Sequence, residues 1–317
     1  MKSIKLFLTG IFLIIIGALV CGASFVLMGF DISSLNTSTY VTRTYDAGTE
    51  FENISVRGDT EKINFVLSED GKCYVVCKEL ENNKHDVKVA DDTLCIYDIS
   101  SLSLQFGFFT EGPEMTVYLP KDSYSSLSLD SDTGDVYIPE DFSFGDVSIK
   151  LDTGALVCNA SADGNVNVRT DTGKITLQGM TPEALTVNTD TGHTVISNII
   201  CSGETVVNVH TARVELTNVS CTGFSSTGST GNLVLTDVVS TGSWTVKRDT
   251  GSVSFENCDA ADISIKTDTG NVAGSLLSGK IFDVSTDTGK VNVPGSSEGG
   301  KCEITSDTGN IDITIRQ

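Results

Sequence analysis

The 317 residues carry 42 acidic and 21 basic side chains, a net charge of -21, with 30 glycines and only 5 prolines. Phosphates repel so anionic a chain, which argues against nucleic acid as a partner and in favour of cations, cationic peptides or basic protein surfaces. The length allows one or two domains with a sizeable core, and abundant glycine with scarce proline suits many tight turns.

In chain order, Lys2 and Lys5 precede a run at residues 6–30, 25 positions long, with no charged side chain, ended by Asp31. Such a run spans a bilayer as a tilted helix. Basic residues ahead of it keep a cytoplasmic tail at residues 1–5 and send the chain beyond residue 31 outside, giving a single-pass membrane protein with its C-terminal domain extracytoplasmic. A cleaved signal peptide is one alternative, although Phe25, Val26, Leu27 and Met28 carry the apolar run beyond the small residues Gly22, Ala23 and Ser24. Lipidation at Cys21 is another, with Val20 a poor fit to the small residue such sites want before the cysteine. Ala18 and Gly22 have the small-xxx-small spacing that pairs spanning helices. Residues 31–40, rich in Ser, Thr and Asn, read as a linker.

Residues 41–126 hold irregularly spaced strand signals at 54–56, 63–67, 73–77, 87–89, 94–97 and 115–119, punctuated by Asp and Gly. From residue 127 to 317 the pattern becomes periodic. The tripeptide Asp-Thr-Gly begins at Asp132, Asp152, Asp171, Asp190, Asp249, Asp268, Asp287 and Asp307, with worn copies at His210-Thr211-Ala212 and Ser229-Thr230-Gly231. The steps are 19 or 20 residues throughout, the signature of a solenoid. Apolar residues recur four and six positions after the Asp (Ile175 and Leu177) and five and three before it (Val166 and Val168), so each repeat is two short strands joined at a Gly turn. A third apolar offset, nine after the Asp, recurs as Met180, Ile199, Val219, Val238, Cys258 and Leu277 and suggests a short third side. The expected fold is all-β: a β-solenoid, parallel β-helix-like, of about ten coils at about 4.8 Å each.

An open first coil would pair with other chains, so residues 41–126 are read as an irregular β cap. The rival reading makes this segment the recognition module, with the apolar stretch 102–109 as its contact. At the other end one strand follows the last tripeptide, and that end of the solenoid is expected to be open to self-association.

Asp-Thr-Gly is also the aspartic-protease signature, but such an enzyme pairs two carboxylates, and eight copies at a fixed short step do not pair that way. A turn accounts for the tripeptide without catalysis, with Asp accepting hydrogen bonds from the following backbone N–H groups and Gly supplying positive φ. Stacked coils then set carboxylates about 5 Å apart, at roughly 0.8 kcal/mol per pair in water and more at lower dielectric. Turn N–H groups, raised pKa values or bound cations could offset this. Asp132, Asp152, Asp171 and Asp190, then Asp249, Asp268, Asp287 and Asp307, form two candidate Ca2+ ladders; no other cofactor is expected.

Of nine cysteines, Cys73 and Cys77 lie too far apart along one strand to bridge, and Cys201 and Cys221 share an offset and could pair or stack. Cys158, Cys258 and Cys302 read as free buried thiols, and no spacing resembles a zinc site. His85, His193 and His210 are expected at surface or turn positions.

The strands through Ile54-Ser55-Val56, the phrases Thr93-Leu94-Cys95-Ile96 and Val117-Tyr118-Leu119-Pro120, and the array opening Ser131-Asp132-Thr133-Gly134-Asp135-Val136 together resemble the DUF4097 family of bacterial proteins, described as candidate adhesins with a repetitive β-strand domain. The resemblance covers roughly residues 50–317 and leaves out the anchor. It implies a β-solenoid in an envelope protein, often near cell-envelope stress systems of Gram-positive bacteria, and brings no catalytic residues with it. The function expected is a non-catalytic adhesin-like or envelope-stress-associated binding or scaffold role, engaging an envelope component or a cationic peptide or protein surface. A passive spacer is the alternative. A carbohydrate-active β-helix enzyme is the remaining reading, weakened because coils this tightly trimmed leave no long loops to wall a cleft.

Overall fold

The computed structural model describes residues 2–27, 29, 39–99, 112–295 and 298–316, with side chains from residue 10 onward. The apolar stretch 102–109 lies outside the described residues. Helix α1 (Lys2–Leu27) contains an 18-residue apolar segment, Gly10–Leu27, of which none is buried against the protein. It is long and apolar enough to cross a membrane, as a spanning helix or a signal sequence.

Everything else described is β-structure or its connections. The repeat coils stack in parallel and in register, which the threonine of the tripeptide traces. Thr133 lies beside Thr153, then Thr172, Thr191, Thr211, Thr230, Thr250 and Thr269. The predicted apolar offsets all point inward in these coils: Val166, Val168, Ile175, Leu177, Trp244 and Val246 are 2% exposed or less. The third side holds as well, with Met180, Ile199, Val219, Val238 and Cys258 buried. Leu277 departs from it. A register irregularity between Phe255 and Cys258 brings Leu276 opposite Cys258, so Leu276 is buried and Leu277 is 45% exposed.

The corner at the tripeptide differs from the expected Asx turn. The chain continues as strand straight through it in Asn165–Gln178, Ala184–Ile200 and Glu204–Cys221. Among the described residues no tripeptide Asp carboxylate accepts a backbone N–H. That bond comes from the residue after the glycine: Asp135 Oδ1 accepts Ala155 N–H at 2.8 Å, and Asn232 Oδ1 accepts Ser252 N–H at 2.9 Å. The glycine is needed for a different reason as well as for its φ. Gly173 has φ +158, and a methyl group there would overlap the Gly154 carbonyl oxygen of the coil beneath. A second corner lies eight residues after the Asp, where Gly179, Asn198, Asn218, Asp237 and Asn257 adopt φ between +53 and +77. Asn and Asp tolerate this left-handed region better than other side chains. Asn218 Nδ2 donates to Asn198 Oδ1 at 2.9 Å, so this corner is laddered too.

The stacking order departs from chain order at both ends. Thr269 is followed in space by Thr308 and only then by Thr288. The final coil of the chain is therefore inserted between the Asp268 and Asp287 coils, and the open end of the solenoid is the Asp287 coil (Lys280–Thr288 and Val291–Asn292), not the last strand.

At the other end, β1 (Tyr40–Ala47), β2 (Asn53–Gly58), β3 (Lys62–Leu67), β4 (Cys73–Leu80), β5 (His85–Ala90), β6 (Thr93–Asp98) and β7 (Glu114–Leu119) precede the first repeat coil, β8 (Ser123–Thr133) and β9 (Val136–Ile138). β2 and β3 form a further coil stacked on β8 and β9, with Gly58 beside Ser131 and Ile63 beside Val136. β6 and β7 stack on it in parallel from outside. Antiparallel strands then finish the stack, β5 on β6, β4 on β7 and β1 on β4. Residues 41–126, read from the sequence as an irregular β cap, thus include one coil of the repeat type, with the antiparallel strands outside it.

Candidate functional site

The register places Asp132, Asp152, Asp171, Asp190, Asp249, Asp268, Asp307 and Asp287, in that spatial order, along the tripeptide corner, interrupted by the His210 and Ser229 copies. All are exposed or half-buried. Lys150 lies 3.2 Å from Asp152 and 3.3 Å from Asp130, and Arg169 lies 3.1 Å from Asp171. Among the described residues the other six have no ion pair. Coil stacking repeats them at about 4.8 Å wherever copies are consecutive, so the corner is a line of carboxylates with few internal counter-charges.

The line extends into the cap. Asp59-Thr60-Glu61 occupies the place of Asp132-Thr133-Gly134 in the coil of β2 and β3, as the pairing of Gly58 with Ser131 and Ile63 with Val136 requires. Burial and then the charges of Asp132, Glu61 and Asp98 raise the Asp59 carboxyl above its usual range. Arg57, Asp59, Asp98, Asp130 and Asp132 line a shallow cleft of about 380 Å³ there.

Glu61, standing where the other coils have glycine, turns its carboxylate toward a buried cluster that the sequence did not suggest. His85, expected at a surface or turn position, is 7% exposed. Its Nε2 lies 3.2 Å from Glu61 Oε1 and its Nδ1 lies 2.5 Å from Glu79 Oε2. Glu79 also receives Arg43 at 2.6 Å and the Tyr45 hydroxyl at 2.5 Å, while Glu61 Oε2 accepts the N–H groups of Asp59 and Thr60. Burial alone would lower the His85 pKa, but the neighbouring Cys77 and the hydrogen bonds to Glu61 and Glu79 push it up to about 11. Burial also opposes the charged form of Glu61, and the His85 hydrogen bond overrides it and lowers that pKa. Burial raises the Cys77 thiol, so it is neutral at pH 7, and the two carboxylates are what hold the imidazolium. Two cations, Arg43 and His85, thus balance two anions, Glu79 and Glu61, and fasten β1, β4 and β5 to the first coil. Cys77, Glu79 and His85 also bring one ligand atom each within 4.8 Å of one another, the donor set of a metal site. With a carboxylate on each ring nitrogen, the cluster is satisfied as a hydrogen-bonded ion network without one.

The remaining histidines fit the expected exposed or turn placement: His210 is exposed, and His193 is half-buried with Nε2 3.4 Å from Glu215. All nine cysteines are free, including Cys201 and Cys221, which lie in adjacent coils. Burial pushes the thiols of Cys73, Cys158 and Cys302 to about 12, which makes them inert core side chains at neutral pH. A groove of about 830 Å³ lies where the C-terminal coil is inserted, lined by Asp259, Asp262, Lys280 and Glu298. Its charged groups are committed to the crossover. Buried Lys280 donates to Asp259 at 2.7 Å and to Ser278 at 2.7 Å, and Asp262 accepts the Lys301 N–H at 2.7 Å.

Several solved structures are similar to this chain. A candidate adhesin from Bacteroides fragilis aligns at 17% identity over 88% of this chain and 97% of its own, with a TM-score of 0.36. A candidate cell adhesion protein from Clostridium sporogenes aligns at 12% identity over 88% and 100%, TM-score 0.24. A candidate lipid binding protein from Parabacteroides distasonis aligns at 13% over 89% and 98%, TM-score 0.32. No curated protein matches the chain. The family described as Toastrack DUF4097 matches residues 51–212 and 202–317, nearly the whole β region, and the chain belongs to that family.

Proposed function

We propose that this protein is a membrane-anchored, extracytoplasmic binding protein without catalytic activity, whose β-solenoid presents its acidic corner to a cationic partner at the bacterial cell envelope. The observation that carries the reading is the line of tripeptide carboxylates, six of which have no ion pair among the described residues. A stack of parallel coils repeats one charge at about 4.8 Å, and a row of like charges raises local counter-ion concentration and steers oppositely charged ligands. A cationic peptide or a basic protein surface is the partner this field selects, and α1 supplies the anchor. Membership of the family supports an envelope role.

The test is binding of a lysine- and arginine-rich peptide to the full chain in detergent micelles at low and high salt, for the wild type and for a variant with Asp249, Asp268, Asp287 and Asp307 each changed to Asn. Saturable binding that weakens with salt and drops at least tenfold in the variant is the expected result. Equal binding by both proteins would refute the corner as the site. The same column would hold calcium if it holds a cation of its own, and a melting temperature unchanged between excess calcium and chelator would remove that role.

A further inference from the structure

The interior columns of the solenoid run unbroken from the cap to the Asp287 coil and stop there. In the coil directly beneath, Cys302 and Ile304 are fully buried, as is Ile311. Their counterparts in the end coil are Phe282, Val284 and Val291. Phe282 and Val284 are only partly buried, Val293 likewise, and Val291 is 44% exposed. Among the described residues the strand Lys280–Thr288 has a β partner on one side only, the strand Gly300–Thr308. A row of unpaired backbone groups beside an uncovered apolar section is a template for one more strand.

We infer that a second copy of this chain covers this end, its own Lys280–Thr288 strand pairing antiparallel across a two-fold axis at Val284. The cap fills the opposite end of the rod, so among the described residues the only open coil whose apolar section matches is the same end of another molecule. A two-fold contact of this kind is self-complementary. Centring the pair on Val284 sets Phe282 opposite Thr286, Asp283 opposite Ser285 and Ile281 opposite Asp287, so no like charges face each other directly. One coil end gives a total interface near or below ~1,000 Å², the small end of specific contacts, so the association is weak and reversible. β1, which follows the anchor, lies in the cap, so the pairing end is the end of the rod remote from the cap. The pairing is independent of what the acidic corner binds.

The experiment is disulfide cross-linking of the full chain in detergent micelles, in a Cys21→Ser background that removes the exposed cysteine of the anchor helix. Val284→Cys places one thiol on the axis, and Thr245→Cys, exposed on a wall in mid-rod, is the control. Mild oxidation is expected to link Val284→Cys into dimers several-fold more than Thr245→Cys. Adding Ser285→Asp, opposite Asp283 of the second copy, should lower the yield toward the control, and Ser285→Lys should raise it. Ser285 is exposed in the single chain, so neither change disturbs the fold. Thr245→Lys added to Val284→Cys controls for net charge and should leave the yield unchanged. Equal dimer yields from the two cysteine positions, or changes of the same sign for Ser285→Asp and Ser285→Lys, would overturn the proposal.

Discussion

Replacing His85 by Gln removes the cation between two buried carboxylates, and the structure says which of them suffers. Glu79 keeps Arg43 at 2.6 Å and the Tyr45 hydroxyl. Glu61, 4% exposed, keeps only the backbone N–H groups of Asp59 and Thr60. Leaving a buried charge without its partner costs about 3–5 kcal/mol, and the cap strands should bear that loss. The pH dependence is the sharper readout. The folded His85 pKa is raised, so its contribution is complete below the unfolded value near 6.5 and declines as pH rises toward about 11, by up to ~1.4 kcal/mol per unit. The Glu61 pKa is lowered, so its contribution is present above the unfolded value near 4.5 and is lost as pH falls through the folded value. Wild-type cap stability should therefore peak between about pH 4.5 and 6.5 and fall on either side. In His85→Gln the decline above pH 6.5 should vanish, and Glu61 should take up a proton, so the deficit shrinks toward pH 5. Amide hydrogen exchange of β4 and β5 in the full chain between pH 5 and 9 measures this locally, corrected for the intrinsic pH dependence of exchange. If His85→Gln leaves protection of β4 and β5 unchanged at pH 8, the clamp is not what holds the cap.

Three further outcomes follow from the coils themselves. Gly173→Ala introduces a methyl group against the Gly154 carbonyl oxygen at a φ that alanine resists, and should cost about 1–3 kcal/mol or more in thermal or urea unfolding. Arg248 lies wholly inside the solenoid, with Ser226 Oγ at 2.8 Å and the Lys247 carbonyl at 2.9 Å but, among the described residues, no carboxylate, and burial lowers its pKa to about 10. Arg248→Met should therefore raise stability by roughly 1–4 kcal/mol, and a lower melting temperature would mean the guanidinium has an anionic partner. Lys280→Met, which leaves Asp259 without its buried cation, should expose the Asp287 coil to faster hydrogen exchange while the central coils stay unchanged.

The repeating interior was legible because each coil obeys one template, and a residue such as Val168 or Leu177 takes its inward place from that template alone. The same template reaches further than the tripeptide suggested. Ile54, Val56, Ile63 and Phe65 stand five and three before and four and six after Asp59, the offsets of every later repeat, so the coil of β2 and β3 was readable from its apolar positions. Glu61 in place of glycine hid it. The clamp was not readable, because His85, Glu61, Glu79 and Arg43 meet only through the cap topology, and nothing in their spacing marks them. The role of the tripeptide Asp was misjudged for a local reason. The corner N–H groups pair with the neighbouring coil, as Gly134 N–H does with the Thr153 carbonyl and Gly251 N–H with the Thr269 carbonyl, so they point along the stack instead of back to the carboxylate.

The exchanged order of the last coils shows where local sequence loses its authority. The Asp287 and Asp307 coils carry the same template, so either fits against the Asp268 coil. Stacking in chain order closes loops of about 20 residues, whereas the observed order pairs Ile263 with Cys302, 39 apart. The extra closure entropy is only about 0.6 kcal/mol, and for Gly58 beside Ser131, 73 apart, about 1 kcal/mol. A single buried side chain outweighs either. Contacts specific to one order therefore decide it, and Lys280 supplies one. Its neighbour in register is Gly300, which has no side chain to block the path, and its ammonium reaches Asp259 beyond that coil. The arrangement also changes how the end comes apart. In a nearest-neighbour stack the outermost coil has a single interface. Here that coil is held by chain connections at both of its ends, while the C-terminal strands, which would otherwise fray, sit between two neighbours.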